Sequence, residues 1–161
     1  MAGLAGAASL LTGCGFKLRG AYKTPFKTIY LEMTPNTSFS SWLERRLRAE
    51  TDLEIVRVKK DAQAILQLVD ETRSESILTI NDAGRVREKR LEMAIVFRVV
   101  APDGYEYLPS TRLSTIRDLN DSEQNYLSRD TEKATLYRDM TFDLVEQMMS
   151  VLETIKPRRV E

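Results

Sequence analysis

Histidine is absent from this 161-residue chain, and cysteine occurs once, at Cys14. The first absence removes the commonest metal ligand and the usual general base. With a single thiol there is no internal disulfide, and thiolate metal sites have nothing to build on. No motif for Ser–Lys or paired-carboxylate catalysis fills the gap, so the chain is read as non-enzymatic. An excess of one charge is missing too. Twenty-four Lys and Arg balance twenty-four Asp and Glu, so bulk attraction to nucleic acid is not indicated and any anion binding has to be local. Beyond the N-terminus no segment approaches the ~20 apolar residues of a spanning helix. The 42% hydrophobic and 30% charged content is that of a globular domain.

What is present begins with Leu11-Thr12-Gly13-Cys14, which closes an apolar, small-residue stretch from Met1 to Leu11. A leucine, two small residues and a cysteine form the signal by which bacterial lipoproteins are cut and acylated, because the processing enzymes need small side chains before the cut and a thiol to carry diacylglycerol. A buried free cysteine is the ordinary alternative. Position and uniqueness favour lipidation. Residues 1–13 then form a signal peptide, and the group expected on Cys14 is a covalent N-acyl diacylglycerol, with no other cofactor. Met1 to Leu11 lacks the cationic opening of a complete signal, so either the true start lies upstream or the leader is cut short. Gly15 follows the cysteine where Asp would favour retention in the inner membrane, so the expected address is the outer membrane, periplasmic side. Several acyl chains are enough for lasting attachment without insertion of the body.

Residues 14–27 read as a lipidated tether and 28–161 as one domain, which suits a mature length of about 150 residues. Thr28 to Met33 is rich in β-formers and ends at Thr34-Pro35-Asn36, which predicts a first strand. Ser38, Ser40 and Ser41 are candidate N-caps for a helix to about Glu50 carrying Phe39, Leu43 and Leu47 at spacing four. Leu53 to Val58 reads as a second strand, and strand–helix–strand in so short a space suggests a right-handed βαβ unit with parallel strands. Strand texture returns from Ala62 to Thr79, followed by a turn at Asn81-Asp82-Ala83-Gly84. Leu91, Met93, Ile95, Phe97 and Val99 then alternate with their neighbours, the signature of a long strand with one buried face. Pro102-Asp103-Gly104 makes a hairpin turn into a third long strand, Tyr105 to Leu119, interrupted by Pro109. Last comes a helix starting near Ser128 to Asp130, with Ala134, Tyr137, Met140, Leu144, Met148 and Leu152 on its apolar face and Pro157 as its stop. Met140, Met148 and Met149 read as core filling rather than a ligand box. The fold class is α+β: a two-layer α/β sandwich, two helices packed on a mixed, mostly antiparallel four- to five-stranded sheet.

One feature is not required by packing. Extending the parity of Leu91 to Val99 backward places Arg85, Arg87 and Lys89 in a row toward the turn at Gly84, where like charges repel unless an anion relieves them. A solvated strand end balanced by Glu75, Asp82 and Glu88 is the competing explanation. Arg129 adds a cation near the start of the last helix, beside Asp130 and Glu132, with which it can pair locally.

Cys14-Gly15-Phe16-Lys17-Leu18-Arg19-Gly20, Gly84-Arg85-Val86-Arg87-Glu88, Asp103-Gly104, Arg117-Asp118 and Leu127-Ser128-Arg129-Asp130 through Leu136-Tyr137-Arg138-Asp139-Met140 resemble, in order and spacing, the LptE family of lipopolysaccharide-assembly lipoproteins, formerly rare lipoprotein B. The resemblance covers nearly the whole mature chain. It implies a partner, the outer-membrane β-barrel LptD, with the protein as a plug in the barrel lumen that helps barrel assembly and binds lipopolysaccharide during delivery to the cell surface. It also implies a contact-forming cation at the start of the last helix, usually Lys, which is Arg129 in this chain. In some members a second cation lies two residues before the turn glycine, where this chain has Asp82, and Arg85 and Arg87 are expected to take over its role. Aromatics that often follow the Arg-Asp pair are replaced by Leu119 and Asn120. Lipopolysaccharide binding is accordingly expected at Arg85, Arg87, Lys89 and Arg129. A different outer-membrane lipoprotein, acting as a protein-binding envelope or barrel-assembly accessory, is the alternative, and it predicts that these cations can be neutralised without loss.

Overall fold

The computed structural model describes residues 22–120, 126–156 and 158, with the side chains of 126–128 set aside. Its central element is the strand β4, Val86–Val100, on which Leu91, Met93, Ile95, Phe97 and Val99 are all fully buried. On one side β4 pairs antiparallel with β3, Ala64–Ile80; on the other it pairs with β5, Glu106–Asn120. The N-terminal strand β1, Thr28–Glu32, runs parallel to β3, and the two-residue strand β2, Glu54–Ile55, runs parallel to β1. The sheet order is β2-β1-β3-β4-β5. The second strand is therefore much shorter than the 53–58 stretch expected. It pairs only through Thr28↔Glu54 and Ile29↔Ile55 before a 3₁₀ turn at Lys59–Asp61 carries the chain toward β3.

Helix α1, Ser38–Glu50, starts one residue earlier than its serines suggest. Thr37 is the N-cap, accepting from the Ser40 backbone N–H at 3.0 Å, while the Ser40 hydroxyl accepts from the Thr37 N–H at 3.0 Å. This reciprocal pair satisfies two orphan donors of the first turn, with serine standing where a capping box commonly has Glu or Gln. The long helix α2, Tyr126–Thr154, begins two residues before the expected start and ends before Pro157. Met140, Leu144, Val145, Met148, Met149 and Leu152 bury its inner face against β4 and β5, so the methionines are core. Arg117 on β5 and Asp143 on α2 form an ion pair that fastens the helix to the sheet edge.

The stretch read as a tether is pinned from Tyr22 onward. The Tyr22 N–H donates to the Glu50 carbonyl at 2.8 Å, its hydroxyl donates to Glu146, and Phe26 is buried edge-on to Tyr107 with ring centroids 5.0 Å apart. Pro109 is tolerated because β5 is an edge strand and because the ladder irregularity between Phe97↔Thr111 and Val99↔Leu108 falls at that point.

Both helices lie on the face carrying the Leu91–Val99 row. The other face of the sheet bears paired charges instead. Arg90 makes a two-pronged contact with Asp118 at 2.9 and 3.1 Å, Arg112 meets Glu92 at 2.9 Å, and Arg98 donates to Gln67 at 2.5 Å. Phe97 lies at the centre of the buried row, so Phe97→Ala is expected to lower unfolding stability by about 3–5 kcal/mol. Thr37→Ala, which removes one cap, is expected to cost about 1 kcal/mol. Urea denaturation of the purified chain separates the two.

Candidate functional site

Three of the expected site residues, Arg85, Arg87 and Lys89, lie at the end of the sheet closed by the β3–β4 turn. The turn that closes β3 and β4 is fixed by backbone chemistry. The Asn81 N–H donates to the Arg85 carbonyl and the Gly84 N–H to the Asn81 carbonyl, each at 2.8 Å. Asn81 Oδ1 accepts from the N–H groups of Ala83 and Arg85 at 3.1 and 2.9 Å. Gly84 has φ +76°, a region that disfavours a side chain, so glycine is what allows so tight a closure.

Arg85 lies in this turn, immediately before β4, while Arg87 and Lys89 lie on β4 itself. The strict row expected from the sequence does not continue past Lys89. Lys89 faces Ile77, but Thr79 then faces Glu88 and Ile80 faces Val86, which leaves Leu78 and Arg87 as the extra residues of a local slip. Alternation inherited from the core is broken at Arg87, as a bulge does. The balancing acids also behave differently from one another. Glu75 is taken by Lys133 of α2, Glu88 accepts from the Thr79 hydroxyl at 3.1 Å, and Asp82 is exposed in the turn.

Arg129 comes to the same end by way of Glu75. Glu75 pairs with Leu91 across the ladder, and its ion pair with Lys133 sets the height of α2 above the sheet. Arg129 is about one helical turn above Lys133, and the Ile77–Lys89 pair is about 7 Å above Glu75–Leu91, so the helix start stands over Lys89. Lys89, Arg129 and Arg85 each already engage another group. Arg87 is exposed and lines a cavity of about 570 Å³ together with Thr79, Ile80, Asn81, Glu88 and Asn120. Cys14 lies outside the described residues.

A second concavity, of about 560 Å³, was not visible in the sequence. Trp42 of α1, Arg73 of β3 and Asp130, Lys133, Tyr137 and Arg138 of α2 line it, at the corner where the first turns of α1 face β3 and α2. Its cations have partners: Arg73 meets Glu71 at 3.2 Å and stands over the Tyr137 ring at 5.2 Å, and Lys133 meets Glu75. Burial and the nearby Glu75 raise the Tyr137 phenol above its ordinary value. Three elements far apart in sequence build this corner, so no local pattern could announce it. Among the described residues no cluster of side chains has the makeup of a metal site, and no helix is long and apolar enough to cross a membrane.

Two helices on one face of an open five-stranded mixed sheet define the architecture of the rare lipoprotein B structures. A lipoprotein B from Nitrosomonas europaea superposes with a TM-score of 0.72 at 29% identity, covering 84% of this chain and 88% of that one. The rare lipoprotein B of Shewanella oneidensis has the same fold, with a TM-score of 0.68 at 21% identity over 78% of this chain and 92% of its own. The sequence relatives include the LPS-assembly lipoprotein LptE of Photorhabdus laumondii, 27% identical over 94% of this chain and 84% of that protein. That of Yersinia pestis is 25% identical over 98% and 77%. The family model described as LptE, lipopolysaccharide-assembly, matches residues 26–152. The chain belongs to the LptE family, a non-enzymatic family of lipopolysaccharide assembly.

Hydrogen bonding to Glu75 is the largest influence raising the Lys133 pKa above its ordinary 10.5, so the ion pair contributes stability below that value and loses it as Lys133 deprotonates above it. The pair is partly exposed, so Lys133→Met is expected to lower stability by less than about 1 kcal/mol at pH 7. The difference from the unmodified chain should shrink as the pH rises beyond 10.5, which thermal melts at pH 7 and pH 11 would show.

Proposed function

We propose that this chain is the lipoprotein subunit of a lipopolysaccharide translocon. In this reading Cys14 carries the acyl groups that hold it at the outer membrane, and the body sits on the periplasmic side within the lumen of the LptD β-barrel. There it plugs the barrel, helps it assemble, and binds lipopolysaccharide on its way to the cell surface. The observation that carries the proposal is the family match across residues 26–152, joined to relatives named as LPS-assembly lipoproteins over almost the whole chain.

Two physical features support it. Barrel interiors are polar, and the helix-free face of this sheet presents Arg90–Asp118 and Arg112–Glu92 pairs rather than an apolar surface. The phosphates and carboxylates of lipopolysaccharide suit guanidinium groups, which bind such anions through two parallel hydrogen bonds. Arg85, Arg87 and Lys89 lie at the turn end of the β3–β4 hairpin, and in this reading they and Arg129 supply such groups.

The test is co-purification from detergent-solubilised outer membranes with a tagged chain that retains Cys14. A large β-barrel in equal amount and bound lipopolysaccharide are expected. Neutralising Arg85, Arg87 and Arg129 together to Gln should cut the retained lipopolysaccharide about tenfold or more while leaving the barrel in place. If no barrel is recovered under conditions that keep other outer-membrane complexes intact, the translocon reading fails and a protein-binding envelope accessory replaces it.

A further inference from the structure

The cationic end of the hairpin has an apolar component that neither the core nor the cations explain. Three of the seven large hydrophobic residues exposed among the described residues fall within four positions at this end: Ile77 is 60% exposed, Leu78 37% and Ile80 62%. Beyond Gln67 β3 is the outer strand on its side of the ladder, and Asn120, the last residue of β5, stands opposite Glu88, so past that level β3 and β4 run on, among the described residues, as a ribbon of two strands. The ribbon is nevertheless held in a defined shape by the four hydrogen bonds of Asn81 and Gly84. A clustered, conformationally fixed aliphatic surface marks an interaction site more often than an accident of composition.

The cavity at the slip in the ladder joins the two chemistries. Ile80 and Arg87 line the same 570 Å³ space, a size in the range of small-molecule sites. A guanidinium beside an aliphatic side chain matches an amphiphile whose anionic groups sit at the root of its hydrocarbon chains. Glu88, which lines the same space, is hydrogen-bonded to Thr79, and Arg87 is exposed, so the anionic group that suits this cavity is one its guanidinium can bind, such as a phosphate.

We infer that Ile77 and Ile80 form the acyl-chain half of an anionic-glycolipid site whose phosphate half includes Arg87. The inference rests on the lipopolysaccharide reading above and assigns a separate part of the ligand to these residues. The aliphatic side chains touch hydrocarbon, and Arg87 touches phosphate at the junction.

The experiment compares two probes on the immobilised full chain: intact lipopolysaccharide, and the same molecule stripped of its fatty acids with its phosphates kept. The variant I77T/I80T preserves β-branching and hence the strand, and melting temperature checks the fold. It should weaken binding of intact lipopolysaccharide about tenfold or more and leave the deacylated probe unchanged. Arg87→Gln should weaken both. Equal binding of intact lipopolysaccharide by I77T/I80T and the unmodified chain would overturn the inference while leaving lipopolysaccharide binding itself standing. Loss of the co-purifying barrel with lipid binding retained would also overturn it, by making these residues a protein contact. If the unmodified chain bound neither probe, the ligand reading and this inference would fall together.

Discussion

The fold depends on a sheet with one apolar face. Leu91, Met93, Ile95, Phe97 and Val99 put every second side chain of the central strand on the same side, and the buried face of α2 covers that row. Burying side chains of this size contributes about 1.5–3 kcal/mol each, which no surface ion pair in the structure approaches. The other elements follow from this layer. Helix α1 completes the cover over β1 and β3, Phe26 and Tyr107 close its lower end, and β5 supplies Leu119 at its upper margin. The Arg46–Glu146 and Arg117–Asp143 pairs orient α2 at the rim of that layer.

The same layer accounts for where the candidate site lies. Strand β3 has 17 residues and spans about 56 Å, whereas the 29 residues of α2 span about 43 Å, so the helix cannot cover the ladder throughout. The helix is held deep against β4, and the uncovered length appears at the turn end. There, among the described residues, the pairing loses its third strand and slips, and the periodicity that governed the core no longer has a face to bury. Charged and aliphatic residues share the exposed ribbon because no packing requirement sorts them into two sides.

This contrast decides what could be read from residues alone. The period-two run at Leu91 and the 3.6-residue spacing from Ala134 to Leu152 are long, and burial enforces each one, so strand, helix and fold class were all legible. Turn chemistry was equally clear at Asn81 to Gly84. The N-cap was missed by one residue because Thr37 and the following serines are equivalent donors and acceptors in a string of letters. The second strand was overextended because β-propensity continues to Val58 while a pairing partner exists only for Glu54 and Ile55. In the candidate site, the straight row of Arg85, Arg87 and Lys89 expected from parity does not hold, since a slip in the ladder leaves no mark on composition. The groove around Trp42, Arg73 and Tyr137 draws on three elements far apart in sequence, and only the tertiary structure assembles it.

Charge balance bears on where the proposed anion site lies in a chain with no net charge. Along the covered length of the ladder, cations are matched across strands: Arg90 by Asp118, Arg112 by Glu92, Arg117 by Asp143 and Lys133 by Glu75. Each match needs a neighbouring strand or helix to carry the acid. Beyond Glu88 no third strand pairs with β4 among the described residues, and Arg87 is exposed on the part of the hairpin where Ile77 and Ile80 are also uncovered. Elsewhere on the sheet, the internal pairing that keeps the surface neutral leaves little for an anionic ligand to bind.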